Sequence, residues 1–491
     1  MNELVRRIAN NSLLIVTACF AFVWICHRAS VQSITIDEAD TFRHWVNSYE
    51  ARHWEPHSNN HVLNSTLMRL SVWLFGQSEL AVRLPALLGG AIYILAILRL
   101  CTLLTAGHVL RCALFVCFVY NPLIMDYLVA ARGYALALGF FAITLFLLAR
   151  GILGGIWTLR DLALLSACVG LSICSNFSFA YASGFLLLAA ATLTALPLKR
   201  TPQSWLRIAA ACSLPALTAL LVLAGSALTR FSRRELSFGA DSLSAMWKEI
   251  AGASFMERNP YLINPLLDDW FEAFGVYFPW ILACFALLSL ITFATSYRRP
   301  EARAHWALPA ILAAALSLTV LTHWLQFKLL KIPLPLERTS IFLLPLVTAL
   351  IGSIVAIVPF THLARVVQAF GMALVVVTGF YFIGELRDGY FRQWRAGSEL
   401  KTAFPFVIDL CRRNGYREII VDWNFPNSMN FYRSLHHVTD IEEVQYYEQL
   451  PTGKPVYLLS ETAASEFLRN TSLKQVWHGT YSDLVILVQP D

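Results

Sequence analysis

The sequence predicts an all-α polytopic membrane domain followed by a small α/β domain that lies outside the membrane. The chain has 491 residues, of which 57% are hydrophobic, too many for a soluble core of this length to bury. Only 14% are charged, whereas soluble domains have about 25%. After Gly397 the pattern changes to short β-branched runs, which indicate strands. The net charge of +6 comes without a block of like charges, so no nucleic-acid partner is expected.

Long apolar segments predict about eleven membrane helices, because a spanning helix needs about 20 apolar residues. The lysines and arginines of the short loops fall on one side, which the positive-inside rule assigns to the cytoplasm. The other side then holds the outer loops 28–81 and 228–274 and the tail. The predicted helices are 10–27, 82–104, 109–125, 133–150, 159–175, 179–197, 207–227, 275–295, 305–324, 339–359 and 366–385.

The two predicted domains are a membrane domain over residues 1–390 and a soluble α/β domain over residues 391–491. Strands are expected at 416–421, 455–459 and 483–488, and helices near 400–413 and 461–469. No glycine-rich fingerprint follows these strands, so no dinucleotide site is predicted. The ten cysteines include no C-x-x-C pair, which argues against a disulfide framework or a zinc site.

An acidic pair, Asp37 and Glu38, opens the first outer loop directly after the first predicted helix. Carboxylates at a helix end often do no more than face water. At the bilayer surface, however, partial desolvation makes a carboxylate a better general base. Both residues are therefore candidates for catalysis.

The same loop continues through a polar cluster that contains His57, Asn60 and His61. The two histidines and Asp37 are a possible ligand set for a divalent metal ion. A loop of hydrogen-bonding side chains that contact substrate or one another is the simpler alternative. The sequence indicates no certain cofactor, and a divalent metal ion remains an open alternative.

Asp126, Arg132 and Tyr134 lie in or just after a very short connection between two predicted spans. Ionisable residues at membrane depth are functional by default. A guanidinium suits a lipid-linked phosphate, which it binds through two parallel hydrogen bonds. The alternative is that Arg132 extends to the interface as an anchor.

A second basic group precedes the tenth predicted helix. Lysines there often anchor a helix at the membrane surface, and a second cationic wall for a phosphate is the alternative. The acidic neighbour of this group is a candidate for substrate contact. The residues are Lys328, Lys331, Glu337 and Arg338.

Together these motifs resemble a known family. The run DEADTFRHW, then NNHVLNSTLMRLSVWLFGQSELAVRLPALLGG, resembles the first outer loop of GT-C fold glycosyltransferases. The branch includes aminoarabinose transferases, protein O-mannosyltransferases and Rgt-type lipopolysaccharide sugar transferases. ARGYAL and ERTSIFLLP are similar to further family features. The resemblance covers residues 10–150 in detail and the later helices by their layout.

The resemblance implies a polyprenyl-phosphate sugar donor and transfer to a glycan, lipid or protein acceptor. The reaction would take place on the outer face of a bacterial inner membrane, with the tail in the periplasm. Asp37 would act as the base with Glu38 beside it, Asp126 would be a second acid, and Arg132 would meet the donor phosphate. The family's His-x-Pro-Pro is Asn59-Asn60-His61-Val62 here, and Ala130 replaces a common glutamate.

Two other function classes compete with the enzyme. A transporter or flippase for lipid-linked sugars would also bind phosphate at membrane depth. Transporters usually place such sites near the midplane, between two related halves, whereas this chain has its acids in outer loops. The third class is a non-catalytic envelope scaffold, against which the presence of both Asp37 and Arg132 counts.

Overall fold

The computed structural model describes residues 3–47, 57, 59–155, 157–195, 201–225, 233–255, 265–295, 300–357, 362–445 and 455–489. In this part of the chain, seven helices are long and apolar enough to cross a membrane. They identify a multi-pass membrane protein. These spans are Asn11–Val31, Glu79–Leu104, Tyr134–Gly154, Phe177–Ala195, Pro202–Ala224, Val276–Thr295 and His305–Leu330.

Every one of the eleven predicted spans overlaps helical residues, but the count of eleven spans is not confirmed. Within the described ranges, four further apolar helices are shorter, with 10–17 residues. The helices are α1 Glu3–Val31, α2 Ile36–Thr41, α3 Val62–Phe75, α4 Glu79–Leu104, α5 His108–Val119, α6 Pro122–Tyr127, α7 Tyr134–Gly154, α8 Leu159–Ser175, α9 Ala180–Ala195, α10 Pro202–Ala219, α11 Leu243–Phe255, α12 Pro265–Thr295, α13 Pro300–Leu330, α14 Leu343–Val355, α15 His362–Gly384, α16 Leu400–Asn414, α17 Pro426–Leu435 and α18 Glu461–Asn470.

The predicted outer loop 28–81 is not a continuous loop. Its first residues belong to α1, and α2 continues into a π-helical turn, Phe42–Val46. Helix α3 buries Met68 and leaves the apolar residues of its last turn exposed. This segment is helical because its buried residues recur at helical spacing and it carries few charges. Residues 48–56 and 58 lie outside the described ranges.

The second predicted outer loop, 228–274, is also largely helical where it is described. It contains a 3₁₀ turn, Arg233–Leu236, then α11 and the start of α12. Its residues 228–232 and 256–264 lie outside the described ranges.

Helices α4 and α7 approach so closely that glycine is required at their contact. A Cβ atom built on Gly89 of α4 would lie 2.4 Å from the backbone nitrogen of Leu136. Gly139 of α7 faces the carbonyl oxygen of Gly89 in the same way. Small residues allow membrane helices to approach at backbone distance. This contact fixes the first turns of α7, which begins two residues after Arg132.

The carboxy-terminal domain, residues 400–489, contains a four-stranded sheet in the order β1-β2-β4-β3. Strand β1 pairs with β2 in parallel, and the other two pairs are antiparallel. The sequence predicted β1, β2 and β4 but missed β3 and α17. No residue of β3 is buried, so it lacks the apolar pattern of the other strands. The strands are β1 Ile419–Val421, β2 Val456–Ser460, β3 Lys474–His478 and β4 Leu484–Val488.

This domain shares a hydrophobic core with residues 33–47, called here the Asp37 segment. The ring of Phe42 meets that of Phe431 edge-on, with centroids 5.2 Å apart. The Ser33 hydroxyl donates to the Ser398 carbonyl at 2.6 Å. The predicted boundary at 390/391 therefore marks a change of sequence pattern but not a break in packing. The tail and the Asp37 segment lie at the same end of the helical domain.

Candidate functional site

Asp37 lies in the first turn of α2, and a reciprocal cap fixes that turn. The Thr35 hydroxyl accepts the backbone N–H of Glu38, and the Glu38 carboxylate accepts that of Thr35. Such a capping box stabilises the start of a helix. It leaves the Asp37 side chain 20% exposed, so its carboxylate remains partly accessible.

Two arginines from distant parts of the chain meet this carboxylate. Nη1 of Arg338 donates to Oδ2 of Asp37 at 2.7 Å. Nε of Arg132 lies 3.7 Å from the same oxygen. We call these three residues the Asp37 cluster. The structure thus brings together Asp37, Arg132 and Arg338, as the sequence hypothesis requires.

Arg132 is buried, with a side chain only 1% exposed, which is incompatible with the alternative of an anchor at the membrane surface. Its Nη1 donates to the Thr41 hydroxyl at 2.7 Å, and its Nη2 donates to the Asn59 side chain. Its Nε has no hydrogen-bond partner among the described residues. Arg132 therefore retains one donor directed at the carboxylate side of the cluster.

The residue after Arg132 must be a glycine. Gly133 has φ +75°, and a Cβ atom there would lie 2.4 Å from the Ser175 carbonyl oxygen. This is the left-handed region, which glycine enters without steric cost. The turn at Gly133 ends the short α6–α7 connection and directs Arg132 back towards α2.

Arg338 projects from a 3₁₀ turn, Glu337–Ser340, whose first residue has a left-handed φ of 43°. Such strained backbone is frequent at functional sites. Burial alone would lower the pKa of Arg338, but Tyr134, Tyr127 and the Asp37 carboxylate outweigh burial and raise it. The guanidinium therefore stays charged beside Asp37.

A polar cavity of about 610 Å³ opens beside Arg338. Three arginines line it. Nη1 of one of them, Arg392, lies 3.4 Å from the Glu337 carboxylate. We call it the arginine cavity. The residues that line it are Phe238, Glu337, Arg338, Arg392, Gln393, Trp394 and Arg395.

The sequence hypothesis missed the contribution of residues 392–395 to this cavity. They follow the last apolar helix in the run FRQWRAG, where two arginines flank a tryptophan. Arg395 donates to the Tyr481 carbonyl at 2.8 Å and lies over the Tyr390 ring. A basic and aromatic run soon after the last apolar helix was the available indication of this contribution.

Two tyrosines form the buried side of the Asp37 cluster. The rings of Tyr127 and Tyr134 have centroids 4.6 Å apart, and the Tyr127 hydroxyl donates to Gln393. Burial raises the pKa of Tyr127 well above its usual value, so its hydroxyl remains a neutral donor. Tyr134, for which the sequence predicts a substrate contact, thus packs beside Tyr127 on this buried side.

Glu38 is not available for catalysis, which corrects the first expectation. Its Oε1 accepts from Arg83 Nε at 2.9 Å and from the Ala131 N–H at 2.8 Å. Its Oε2 accepts from Arg83 Nη2 and from the Thr35 N–H, both at 2.8 Å. Burial alone would raise the pKa of Glu38, but Arg83 and these hydrogen bonds lower it. A carboxylate with both oxygens occupied in this way is a poor base.

Asp126 also differs from the prediction of a catalytic acid. It is buried, and its Oδ1 accepts from Nη2 of Arg28 at 2.6 Å. Its Oδ2 accepts the backbone N–H of Arg392 at 2.9 Å. Asp126 therefore holds the end of α1 to the segment that forms the arginine cavity.

The lysines of the predicted second cationic wall lie elsewhere. Lys328 and Lys331 are both exposed, and Lys328 Nζ lies 5.4 Å from the centre of the Phe327 ring. Neither lines the arginine cavity. Of that predicted wall, Arg338 and Glu337 reach the site and the two lysines do not.

The predicted metal ligands do not come together. His57 is exposed and accepts from the Asn59 N–H at 3.1 Å, while Asn60 accepts from the Ser65 hydroxyl. His61 is buried, and its Nδ1 lies 3.1 Å from the Ser175 carbonyl oxygen. Burial, with Arg132 and Arg338 nearby, holds the pKa of His61 well below its usual value.

No group of three or more His, Cys, Asp or Glu residues that could hold a metal occurs among the described residues. The set of two histidines with Asp37 is therefore not assembled. His61 instead packs against Tyr134, with ring centroids 5.3 Å apart. It forms part of the wall behind Arg132.

The solved structures that are similar to this chain include two of one protein. The chain is similar to ArnT from Cupriavidus metallidurans bound to undecaprenyl phosphate, with 13% identity and a TM-score of 0.49 over 97% of this chain and 98% of that one. It is also similar to apo ArnT from the same organism, with 12% identity and a TM-score of 0.40 over 98% of each chain. No family model and no curated protein matches the chain.

TM-scores below 0.5 at 12–13% identity transfer neither residue roles nor substrates. The roles discussed below are therefore argued from the contacts of this chain.

Proposed function

We propose that this protein is a membrane glycosyltransferase that transfers a sugar from a polyprenyl-phosphate donor to a glycan, lipid or protein acceptor. The observation that carries the proposal is the Asp37 cluster, in which a partly exposed carboxylate contacts two guanidinium groups beside the arginine cavity. A base and a phosphate site are what such a transfer requires in one place.

The arginines suit a phosphate better than they suit Asp37 alone. Arg338 is 22% exposed and faces the cavity, so it can exchange one anionic partner for another. A phosphate ester offers more acceptor oxygens than a carboxylate and binds a guanidinium through paired bonds. Arg392 and Arg395 line the same cavity and add to its positive charge.

Entry of the phosphate also prepares the base. When Arg338 turns to the donor phosphate, it releases Oδ2 of Asp37, the oxygen that it holds at 2.7 Å in the structure. Asp37 then accepts a proton from the acceptor hydroxyl or amine. Donor binding thus converts a paired carboxylate into an available one.

The transfer step balances without a cofactor. An oxygen or nitrogen of the acceptor forms a bond to the anomeric carbon, and the bond from that carbon to the phosphate oxygen breaks. The electron pair leaves with polyprenyl phosphate, and Asp37 takes the acceptor proton. The arginines stabilise the charge that develops on the departing phosphate.

The proposed location is a bacterial inner membrane, with the Asp37 segment and the carboxy-terminal domain on its periplasmic side. The short loops that carry arginines support this orientation under the positive-inside rule. Reporter fusions after Arg365 and after Gly397 should then report opposite sides of the membrane. A cytoplasmic signal at Gly397 would contradict the orientation.

Sugar transfer by the purified protein in detergent tests the proposal. A detergent micelle does not separate two aqueous compartments, so cleavage of a polyprenyl-phosphate sugar there cannot result from transport. We expect release of polyprenyl phosphate that depends on an acceptor. Binding of polyprenyl phosphate without cleavage of any sugar donor would instead favour the flippase.

A matched pair of variants assigns the activity to the site. Arg338→Ala removes a cation of the Asp37 cluster and should weaken binding of polyprenyl phosphate relative to uncharged polyprenol. Lys328→Ala removes an exposed cation outside the cavity and should change the binding of neither polyprenyl phosphate nor polyprenol. Equal effects of the two variants would contradict a phosphate site at Arg338.

A further inference from the structure

The most completely satisfied ion pair among the described residues lies directly behind the Asp37 cluster. All five N–H donors of Arg83 are used, two of them on Glu38. The other three bind carbonyl oxygens at the end of α1 and just after it, at 2.7–3.0 Å. These acceptors are Ala29, Gln32 and Ser33.

Glu38 links that arginine to both halves of the Asp37 cluster. It is the next residue after Asp37, and its Oε1 accepts the N–H of Ala131, the residue before Arg132. One carboxylate therefore fixes the backbone on either side of the contact between Asp37 and Arg132. Glu38 and Arg83 are both 0% exposed.

Ala131 is held from its other side as well. The Asn64 side-chain amide of α3 donates to the Ala131 carbonyl at 3.1 Å. Both polar groups of this peptide residue are thus bound by side chains, Glu38 at the nitrogen and Asn64 at the oxygen. Asn64 and Ala131 are fully buried.

We propose that Glu38, Arg83 and Asn64 are positioning residues that hold Asp37 and Arg132 in register for sugar transfer. The inference rests on the proposed function, because it assigns to these three residues a role in the same reaction. None of them touches substrate in it. They act through the backbone of residues 37 and 131–132.

A positioning role is distinct from a stabilising one. The pair of Glu38 and Arg83 joins the end of α1, the start of α2 and the α6–α7 connection. A different buried pair could stabilise the fold in the same way. Only the hydrogen bonds of Glu38 and Arg83 also set where Asp37 and Arg132 lie. Misplacement by about 1 Å can cost about 100-fold in rate.

The first test replaces the pair by apolar residues. Glu38→Leu combined with Arg83→Leu leaves no unpaired buried charge, and such replacements are often tolerated. We expect a folded protein that binds polyprenyl phosphate but whose kcat falls about 100-fold, with little change in KM. The control is Arg412→Ala with Asp440→Ala, which removes an exposed bidentate pair.

A second variant covers the case in which the Leu pair does not fold. Asn64→Ala changes no charge and removes only the hydrogen bond to the Ala131 carbonyl. We expect about a tenfold loss of kcat, because Arg132 is displaced less than in the Leu pair. A folded Asn64→Ala protein or a folded Leu pair with the wild-type kcat would overturn the positioning role.

The wild-type protein separates the two hypotheses. If wild-type protein transfers no sugar from any polyprenyl-phosphate donor, the proposed function fails. If it transfers sugar and the folded variants do so at the wild-type kcat, only the positioning role fails. Loss of kcat with donor binding retained supports both.

Discussion

Adjacent residues of α2, Asp37 and Glu38, both pair with arginine, but they do so in opposite settings. Glu38 and Arg83 are fully enclosed, and every donor of the guanidinium is used. Asp37 and Arg338 are each about one-fifth exposed and border a cavity. The chemical groups are the same, so the difference lies in whether a partner can be exchanged. Exchange is what a substrate anion needs.

The largest expected effect follows from removing the exchangeable carboxylate. Asp37→Asn keeps the size of the side chain but removes its basicity, and loss of a general base typically lowers a rate about 10²–10⁴-fold. We expect folding and binding of polyprenyl phosphate to persist. Turnover by purified protein is the measurement. Near-normal turnover would remove Asp37 as the base and contradict the contrast with Glu38.

The enclosed carboxylate should instead affect stability. Glu38→Gln leaves the buried Arg83 charge without its hydrogen-bonded carboxylate, and breaking such a pair costs about 3–5 kcal/mol. The thermal unfolding temperature in detergent should fall sharply. Asp440→Asn in the exposed pair with Arg412 is the control and should leave it unchanged. A similar small shift in both variants would show that enclosure does not distinguish them.

Arg132 tests the phosphate side of the comparison. Arg132→Lys keeps the charge, but a lysine cannot reproduce paired bonds to a phosphate. Loss of a charged hydrogen bond is worth about 1.5–3 kcal/mol, or about ten- to a hundredfold in donor affinity or rate. Donor binding and transfer in detergent are the measurements. Wild-type values would leave Arg338 as the sole phosphate ligand of the cluster.

The smallest effect is expected at a more exposed pair close to Asp37 in the sequence, His44 and Asp40. His44 Nδ1 lies 3.0 Å from Asp40 Oδ1, and about half of the His44 side chain is exposed. The hydrogen bond to Asp40 raises the pKa of His44, although partial burial opposes it. The stabilisation is therefore fully present below about pH 6.5, the usual histidine value, and is lost as the pH rises through the raised pKa.

Melting curves across pH measure this contribution. Wild-type protein should exceed His44→Gln in stability near pH 6 by less than about 1 kcal/mol, because solvent screens the pair. The difference should disappear at alkaline pH. A difference that stays constant from acid to alkaline pH would show that the charge of His44 contributes nothing.

Local patterns were sufficient to predict the apolar helices, the acidic pair and three of the four strands. The same patterns could not separate Asp37 from Glu38, because the distinction depends on Arg83, 45 residues further along the chain. Helix α3 lies within the predicted outer loop 28–81, and its first turn includes the polar residues Asn64 and Ser65. Both turned out to be buried.

Long-range contacts account for the other differences. Arg338 is 301 residues from Asp37 in the sequence, and only the folded chain shows that it reaches the carboxylate while Lys328 does not. The resemblance implied that Asp126 is a second acid, and its neighbours in the sequence give no sign of the arginine that binds it. Its partner Arg28 lies at the end of α1, where basic residues usually face the interface.

The shared core of the Asp37 segment and the carboxy-terminal domain also sets an order in time. Phe42 and Ile34 belong to a core whose other members include Phe404, Phe431 and Ile486. A ribosome completes those partners several hundred residues after it has made Asp37. The newborn chain thus threads its membrane helices while the Asp37 segment still lacks these packing partners. The shared core is complete only when the last strand of the sheet is in place, so unfinished chains carry Asp37 without the contacts that surround it in the folded protein.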